Sequence, residues 1–343
     1  MLNLLKNISE DNGITVNNLI KAKVFTRSEI VEAVLETNEP YLIYYVAKYI
    51  KGLSKKNIDI LADKLIELNN IKYIYDFAMN IKRTPIDKLA DFTMKYGTSE
   101  NIYMFAKDVD GSPVEKMAEV VIQKGVGEFI YKFAVYVKDA PISLLVDALT
   151  KLNEGYYLAE IAKVTKDETI KNMILNIILN EMNNAKYVYN YARVVDDAPT
   201  DRLVETLIRI GNAEYIYKFA KDIKGAPINR LADAIIKINN PEYIYYFARG
   251  VDSAPIEKLT DSIIRSGNIT YMELFVHIDN INKEKVKTAI NRITVSSMTE
   301  EEKLDYLFNL ARSNDVRVIG YSSDIYRKIF IDDNNVKIRK KVK

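Results

Sequence analysis

Apolar positions along this chain fall at helical spacing, in paired short blocks that return about every 28 residues. In "EYIYYFARGVDSAPIEKLTDSIIRSGN" (242–268), Tyr243, Ile244, Phe247, Ala248 and Val251 lie on one face of a helix. After "SAP", Ile256, Leu259, Thr260, Ile263 and Ile264 form a second helical face. The stretch before it, "EYIYKFAKDIKGAPINRLADAIIKINN" (214–240), repeats the pattern. Anchored on the alanine of Y-I-Y-x-F-A, the unit recurs at Ala47, Ala78, Ala106, Ala134, Ala162, Ala192, Ala220 and Ala248. The spacings are 31, 28, 28, 28, 30, 28 and 28 residues, and a decayed ninth copy has Val276 at the anchor.

Each unit therefore predicts helix A, a tight turn and helix B. Six prolines (Pro85, Pro113, Pro141, Pro199, Pro227, Pro255) follow their anchors by seven residues, and proline suits the first turn of helix B. Asn and Gly in "RIGN" and "RSGN" are expected to stop helix B. One such pair cannot cover its own apolar faces, so successive pairs must stack, and the small anchor side chain allows close approach. The expected fold is all-α: a right-handed α-solenoid of eight to nine hairpins with small terminal caps.

The array is expected over 39–292. Residues 1–38 read as a helical cap, in preference to a helix-turn-helix on "TVNNLIKA" and "TRSEIVEAVLE". The fifth copy, 155–184, lacks the A-P turn and is followed by a longer spacing; it is either a bend or a drifted repeat. Residues 293–335 leave the pattern. "SSMTEEEKLDYLFNLARS" opens with a helix-capping signal, "VRVIGYSSDIYRKIF" reads as a strand followed by a small helix, and 336–343 reads as a basic tail.

The repeat resembles the HEAT-like and armadillo-type α-solenoid superfamily, at the level of architecture and over roughly residues 26–292. That resemblance implies a binding platform before catalysis.

Composition narrows the chemistry. Of 343 residues, 49 are Lys or Arg and 47 are Asp or Glu, so whole-chain charge draws the protein to no anionic partner. With no cysteine and one histidine, disulfides, thiolate chemistry and multi-histidine metal sites are excluded. No apolar run is long enough to span a membrane and the first residues are too polar for a signal peptide, so a cytoplasmic protein is expected. The richness in Asn, Lys, Ile and Tyr suggests a bacterial or viral origin. No nucleophile or acid–base constellation stands out. The chain is expected to be non-catalytic and to need no cofactor or metal.

Two recurring stripes lie off the core faces. Helix B carries cation, acid, cation at i, i+3, i+7: Lys88, Asp91 and Lys95; Arg202, Glu205 and Arg209; Arg230, Asp233 and Lys237; Lys258, Asp261 and Arg265. Acid four residues before cation favours the helix, and the mixed charge suits a protein partner. Helix A sets a tyrosine four residues before a cation, in Tyr103/Lys107, Tyr189/Arg193, Tyr217/Lys221 and Tyr245/Arg249. Rows of rings beside cations suit single-stranded nucleic acid, although rings at the edge of a core also pack between copies. A protein-binding scaffold, adaptor or inhibitor is the leading expectation, and a nucleic-acid binder using the Tyr–Lys/Arg ladder and the tail is the alternative. "DVDGSPVEKMAE" (108–119) has calcium-loop spacing, but proline stands where that loop needs glycine; it is an ordinary inter-helix turn. His277 replaces the ladder cation in the ninth copy and reads as a lone surface or boundary side chain.

Overall fold

The structure, a computed structural model, describes residues 10–297, Thr299, Glu302 and the segments 326–332 and 335–340. Helices α1 (Glu10–Lys21) and α2 (Arg27–Leu35) precede the repeats. The first four copies give α3 (Pro40–Tyr49) and α4 (Lys55–Glu67), α5 (Ile71–Asn80) and α6 (Ile86–Tyr96), α7 (Ser99–Asp108) and α8 (Val114–Lys124), and α9 (Gly127–Tyr136) and α10 (Ile142–Lys151). The fifth copy gives α11 (Gly155–Val164) and α12 (Glu168–Asn176), which runs into a π-helical turn, Ile177–Glu181. Then come α13 (Ala185–Val194) and α14 (Thr200–Ile210), α15 (Ala213–Asp222) and α16 (Ile228–Ile238), and α17 (Pro241–Gly250) and α18 (Ile256–Ser266). The ninth gives α19 (Ile269–Phe275) and α20 (Lys283–Ser297).

Two buried columns explain why the A helices stack. Four residues before the anchor stand Ile43, Ile74, Ile102, Ile130, Leu158, Val188, Ile216, Ile244 and Met272, all fully buried. One residue before the anchor stand Phe77, Phe105, Phe133, Phe219, Phe247 and Phe275, also fully buried, with Val46, Ile161 and Tyr191 completing the column. Seven of the eight anchor alanines are buried, Ala192 being half-buried.

The turns are built alike. The residue two before each of the six prolines (Arg83, Gly111, Asp139, Asp197, Gly225, Ser253) takes a positive φ, which reverses the chain in one step. The prolines sit at the N-cap, one position before the expected first turn, where Pro85 and Pro255 accept the first helical bonds from Leu89 and Leu259, each at 3.2 Å. The "GN" signal divides its labour. Gly267, at φ 66°, ends α18, while Asn268 caps α19 by accepting from the Tyr271 N–H at 3.1 Å. Asn70, Asn184, Asn212 and Asn240 cap their A helices similarly, so these asparagines start helices as well as marking ends.

The chain divides into two compact units, Met1–Pro199 and Thr200–Lys343. In the first, each A helix packs on the next (α3 on α5, through to α11 on α13), and each B helix on the next (α4 on α6, through to α10 on α12). Helix α2 packs on α3 and α4, in the place a preceding B helix would take. The Asn17 side chain ties α1 to the first turn, donating to the Tyr49 carbonyl at 2.8 Å and accepting from the Lys51 N–H at 2.9 Å. In the second unit α15, α17 and α19 follow one another, as do α14, α16, α18 and α20. The described residues thus form a helical repeat-like arrangement of neighbouring contacts.

The fifth copy holds its place despite two extra residues. Buried Ile174, Leu175, Ile177 and Ile178 match buried Leu145, Val146, Ala148 and Leu149 of the fourth at a shift of 29, against 28 for the anchors Ala134 and Ala162. One extra residue therefore lies in the A–B turn. The other is absorbed by the π turn, where the Met182 N–H reaches back five residues to the Ile177 carbonyl at 3.1 Å.

The C-terminal region corrects two expectations. Thr299 and Glu302 form the expected capping box, the Thr299 N–H donating to Glu302 Oε2 at 2.8 Å, which holds that carboxyl below its usual range. The segment expected as a small helix instead pairs as strand β1 (Tyr326–Asp332) with β2 (Asn335–Lys340), antiparallel, Ile329 opposite Ile338 and Ile331 opposite Val336. In β2, Val336 and Ile338 alternate with Lys337 and Arg339 at the period of a strand, whereas β1 carries the short consecutive apolar run Ile329, Phe330 and Ile331. The all-α class therefore holds for the described residues outside this hairpin, and most of the expected basic tail lies in β2. The rest of 303–325 and 341–343 lies outside the described residues.

Candidate binding surface

The helix B stripe is exposed apart from half-buried Asp261, but its charges do not pair as the i, i+4 spacing suggests. They pair between copies. Lys88 of α6 bonds Asp63 of α4, and Lys285 of α20 bonds Asp261 of α18. Lys258 Nζ lies 3.0 Å from Asp233, and the Arg230 guanidinium lies 3.1 Å from Asp201 and 3.8 Å from Glu205. The acid of one copy faces the cation of the next because stacked B helices place them side by side. Every partner is about half exposed or more, so each rung contributes only about 0.2–1 kcal/mol. Lys95 instead stands 5.1 Å from the Tyr96 ring centre. Asp91, Arg202, Arg209, Lys237 and Arg265 are exposed.

On helix A the expected Tyr–cation pairs form. Lys107 lies 6.0 Å from the Tyr103 ring, Arg193 6.0 Å from Tyr189, Lys221 5.7 Å from Tyr217 and Arg249 5.9 Å from Tyr245. Arg249 Nη1 also donates to the Tyr245 hydroxyl at 3.0 Å. Lys48 repeats the arrangement 5.4 Å from Tyr44, whose hydroxyl holds the lysine pKa above its ordinary value.

The rings themselves are not open. Tyr44, Tyr103 and Tyr245 are buried, and the others are half-buried. A second aromatic column, five residues before the anchor, packs on them from the following copy. Tyr73 meets Tyr44 at 6.0 Å, Phe129 meets Tyr103 at 6.3 Å, Tyr157 stacks on Tyr131 at 5.2 Å and Tyr271 meets Tyr245 at 6.3 Å. Sequence reasoning passed over this column, although its recurrence at Tyr73, Phe129, Tyr157, Tyr187, Tyr215, Tyr243 and Tyr271 was the available signal. Tyr75 adds a polar link, donating to Asp108 Oδ2 of the next copy at 2.8 Å. Burial and then that bond push its pKa up to about 12.

Exposed apolar side chains are unevenly spread. Of the twelve large ones among the described residues, five (Tyr136, Leu144, Leu152, Tyr156 and Val164) fall within copies four and five, and Val126 caps the first helix of copy four. Where six copies follow the anchor with Lys or Arg, the second has Met79 and the fourth has Val135, followed by half-exposed Tyr136. In the second unit, the short α19 leaves a groove of about 600 Å³ beside α17, lined by Arg249, Asp252, His277 and Asp279, with His277 exposed as expected.

Among the described residues no group of three or more His, Asp or Glu is placed to hold a metal ion, and no helix is long and apolar enough to cross a membrane. No protein-family model matches the chain, and no curated protein matches its sequence.

Proposed function

We propose that this chain is a non-catalytic scaffold, adaptor or inhibitor: a right-handed α-solenoid of eight to nine hairpins, HEAT-like or armadillo-type, that binds a protein partner. The observation that carries this reading is the concentration of Tyr136, Leu144, Leu152, Tyr156 and Val164 on copies four and five, with Val126 at the cap of copy four. A local excess of exposed apolar side chains on neighbouring copies of a repeat favours protein–protein contact, and tyrosine is favoured there. The charged stripes beside them set register and discourage wrong partners.

The test is affinity capture from the native host with the intact protein and with the double variant Tyr136→Ser/Tyr156→Ser. A specific protein retained by the first and lost from the second, with helical circular dichroism unchanged, is the expected result. No protein retained above a bead control would refute the reading. The alternative, a nucleic acid on the Tyr–cation ladder, is favoured by the exposed cations at Lys107, Arg193, Lys221 and Arg249. It requires affinity that falls steeply with salt. It is disfavoured by ring faces already taken up by the next copy and by their own cations.

A further inference from the structure

The inter-copy charge ladder on the B helices has a gap, and the gap has a shape. The cation column runs Lys88, Lys116, Leu144, Met173, Arg202, Arg230, Lys258, with copy five aligned by its buried residues. Two successive copies therefore set an apolar side chain where copies two, three, six, seven and eight set a cation; the first copy, with Ile60 at this place, is another exception. Leu144 is 44% exposed and Met173 half-buried. The acids that would face those cations from the preceding copy are Glu119 of α8 and Asp147 of α10. Both are exposed, and among the described residues neither has an ion-pair partner, whereas Asp63, Glu205, Asp233 and Asp261 all do. Among the described residues Asp91 forms no ion pair either, but it has Lys116 in the facing place, and Glu119 and Asp147 have no cation there at all. The corresponding B helices pack on each other as elsewhere (α8 on α10, α10 on α12), so packing is not what removes the rungs. Beyond the gap the fifth copy's stripe is uncharged, with exposed Asn176 and Asn180 in the acid and second-cation places.

We propose that this gap is a docking site for a polypeptide segment bearing Lys or Arg beside apolar side chains. The segment lays its apolar groups on Leu144 and Met173. It supplies to Glu119 and Asp147 the cations that neighbouring copies supply elsewhere. Charge complementarity selects the occupant: two unpaired carboxylates at ladder spacing repel a nucleic acid or an acidic segment and attract a basic one. The exposed leucine separates this from an ordinary solvated acidic face. The proposal rests on the protein-binding reading and narrows it to one surface and one partner chemistry.

The test completes the ladder. Leu144→Lys and Met173→Lys, together, set a cation opposite Glu119 and Asp147 as in the intact rungs. The probe is an array of fluorescent twelve-residue peptides with Lys or Arg at varied spacing around Leu or Phe, matched by peptides with Asp in place of the cations. Fluorescence anisotropy on the full chain is expected to show binding of basic-apolar peptides and not of their acidic counterparts. Affinity falls by about tenfold or more in the double variant and weakens with salt, while thermal unfolding is unchanged or improved. Leu144→Ala, which removes only the apolar contact, gives a smaller loss. Indifference to peptide charge, absence of binding, or binding unchanged by the double variant would overturn the proposal. A native protein captured equally well by intact protein and double variant would also overturn it, yet leave the broader protein-binding reading standing.

Discussion

Gly155, the first residue of α11, lies under the ring of Tyr187, a member of the inter-copy aromatic column. A Cβ added there would stand 2.4 Å from Tyr187 Cγ and 2.5–2.8 Å from the flanking ring carbons, well inside the contact distance of about 3.5–4.0 Å. The ring cannot simply swing aside, because the Tyr187 hydroxyl donates to the Asn153 carbonyl at 2.7 Å, just before α11 begins. Two effects of Gly155→Ala oppose each other. Helix propensity favours alanine by at most about 1 kcal/mol. Overpacking against a fixed ring costs about 1–3 kcal/mol. The clash wins, so Gly155→Ala is expected to destabilise the protein by about 1–2 kcal/mol net. Urea unfolding followed by circular dichroism measures this. Hydrogen exchange localises it, with faster exchange in α11 and α13 and little change in α3, since distant copies in a stacked array couple only through their neighbours. Removing the ring with Tyr187→Ala should reverse the sign, making Gly155→Ala neutral or stabilising in that background. An alanine variant as stable as the parent, with the ring in place, would refute the reasoning.

Phe219→Ala empties a fully buried site in the phenylalanine column and should cost about 3–5 kcal/mol, read by the same unfolding assay. Lys258→Glu sets like charges across the α16–α18 rung and should cost about 1 kcal/mol or less. Asp233→Lys on the Lys258→Glu background should restore the loss, and high salt should flatten the cycle; a loss that persists would show that these side chains act by packing. Tyr75 gives a pH dependence. An unfolded tyrosine releases its proton near 10.0, whereas Tyr75 in the fold keeps it to about 12. Stability from its neutral hydroxyl is thus fully present below pH 10.0 and lost as pH rises towards about 12. Stability measured across this window should fall less steeply in Tyr75→Phe than in the parent; identical slopes would remove the assigned role of the Asp108 bond.

The sequence by itself determined the unit. The recurrence of Ile, Phe and Ala at fixed offsets named the buried columns of helix A, and the A-P turns and Asn-Gly punctuation placed the helix ends to within a residue or two. Those features are local: a 3.6-residue periodicity, a φ fixed by proline and a cap bond all act over a few positions of chain. What only the tertiary structure decided lies between copies. Asp233 sits four residues before Lys237 in its own helix, yet it pairs with Lys258, 25 residues on. The tyrosines are covered by rings from the next copy, and the two surplus residues of the fifth copy divide between a turn and a π turn. Each of these depends on the separation and rotation of neighbouring helices, which intrahelical spacing does not encode. The unmatched carboxylates of Glu119 and Asp147 became visible only once stacking had shown that Asp63, Glu205, Asp233 and Asp261 each take a cation from the next copy.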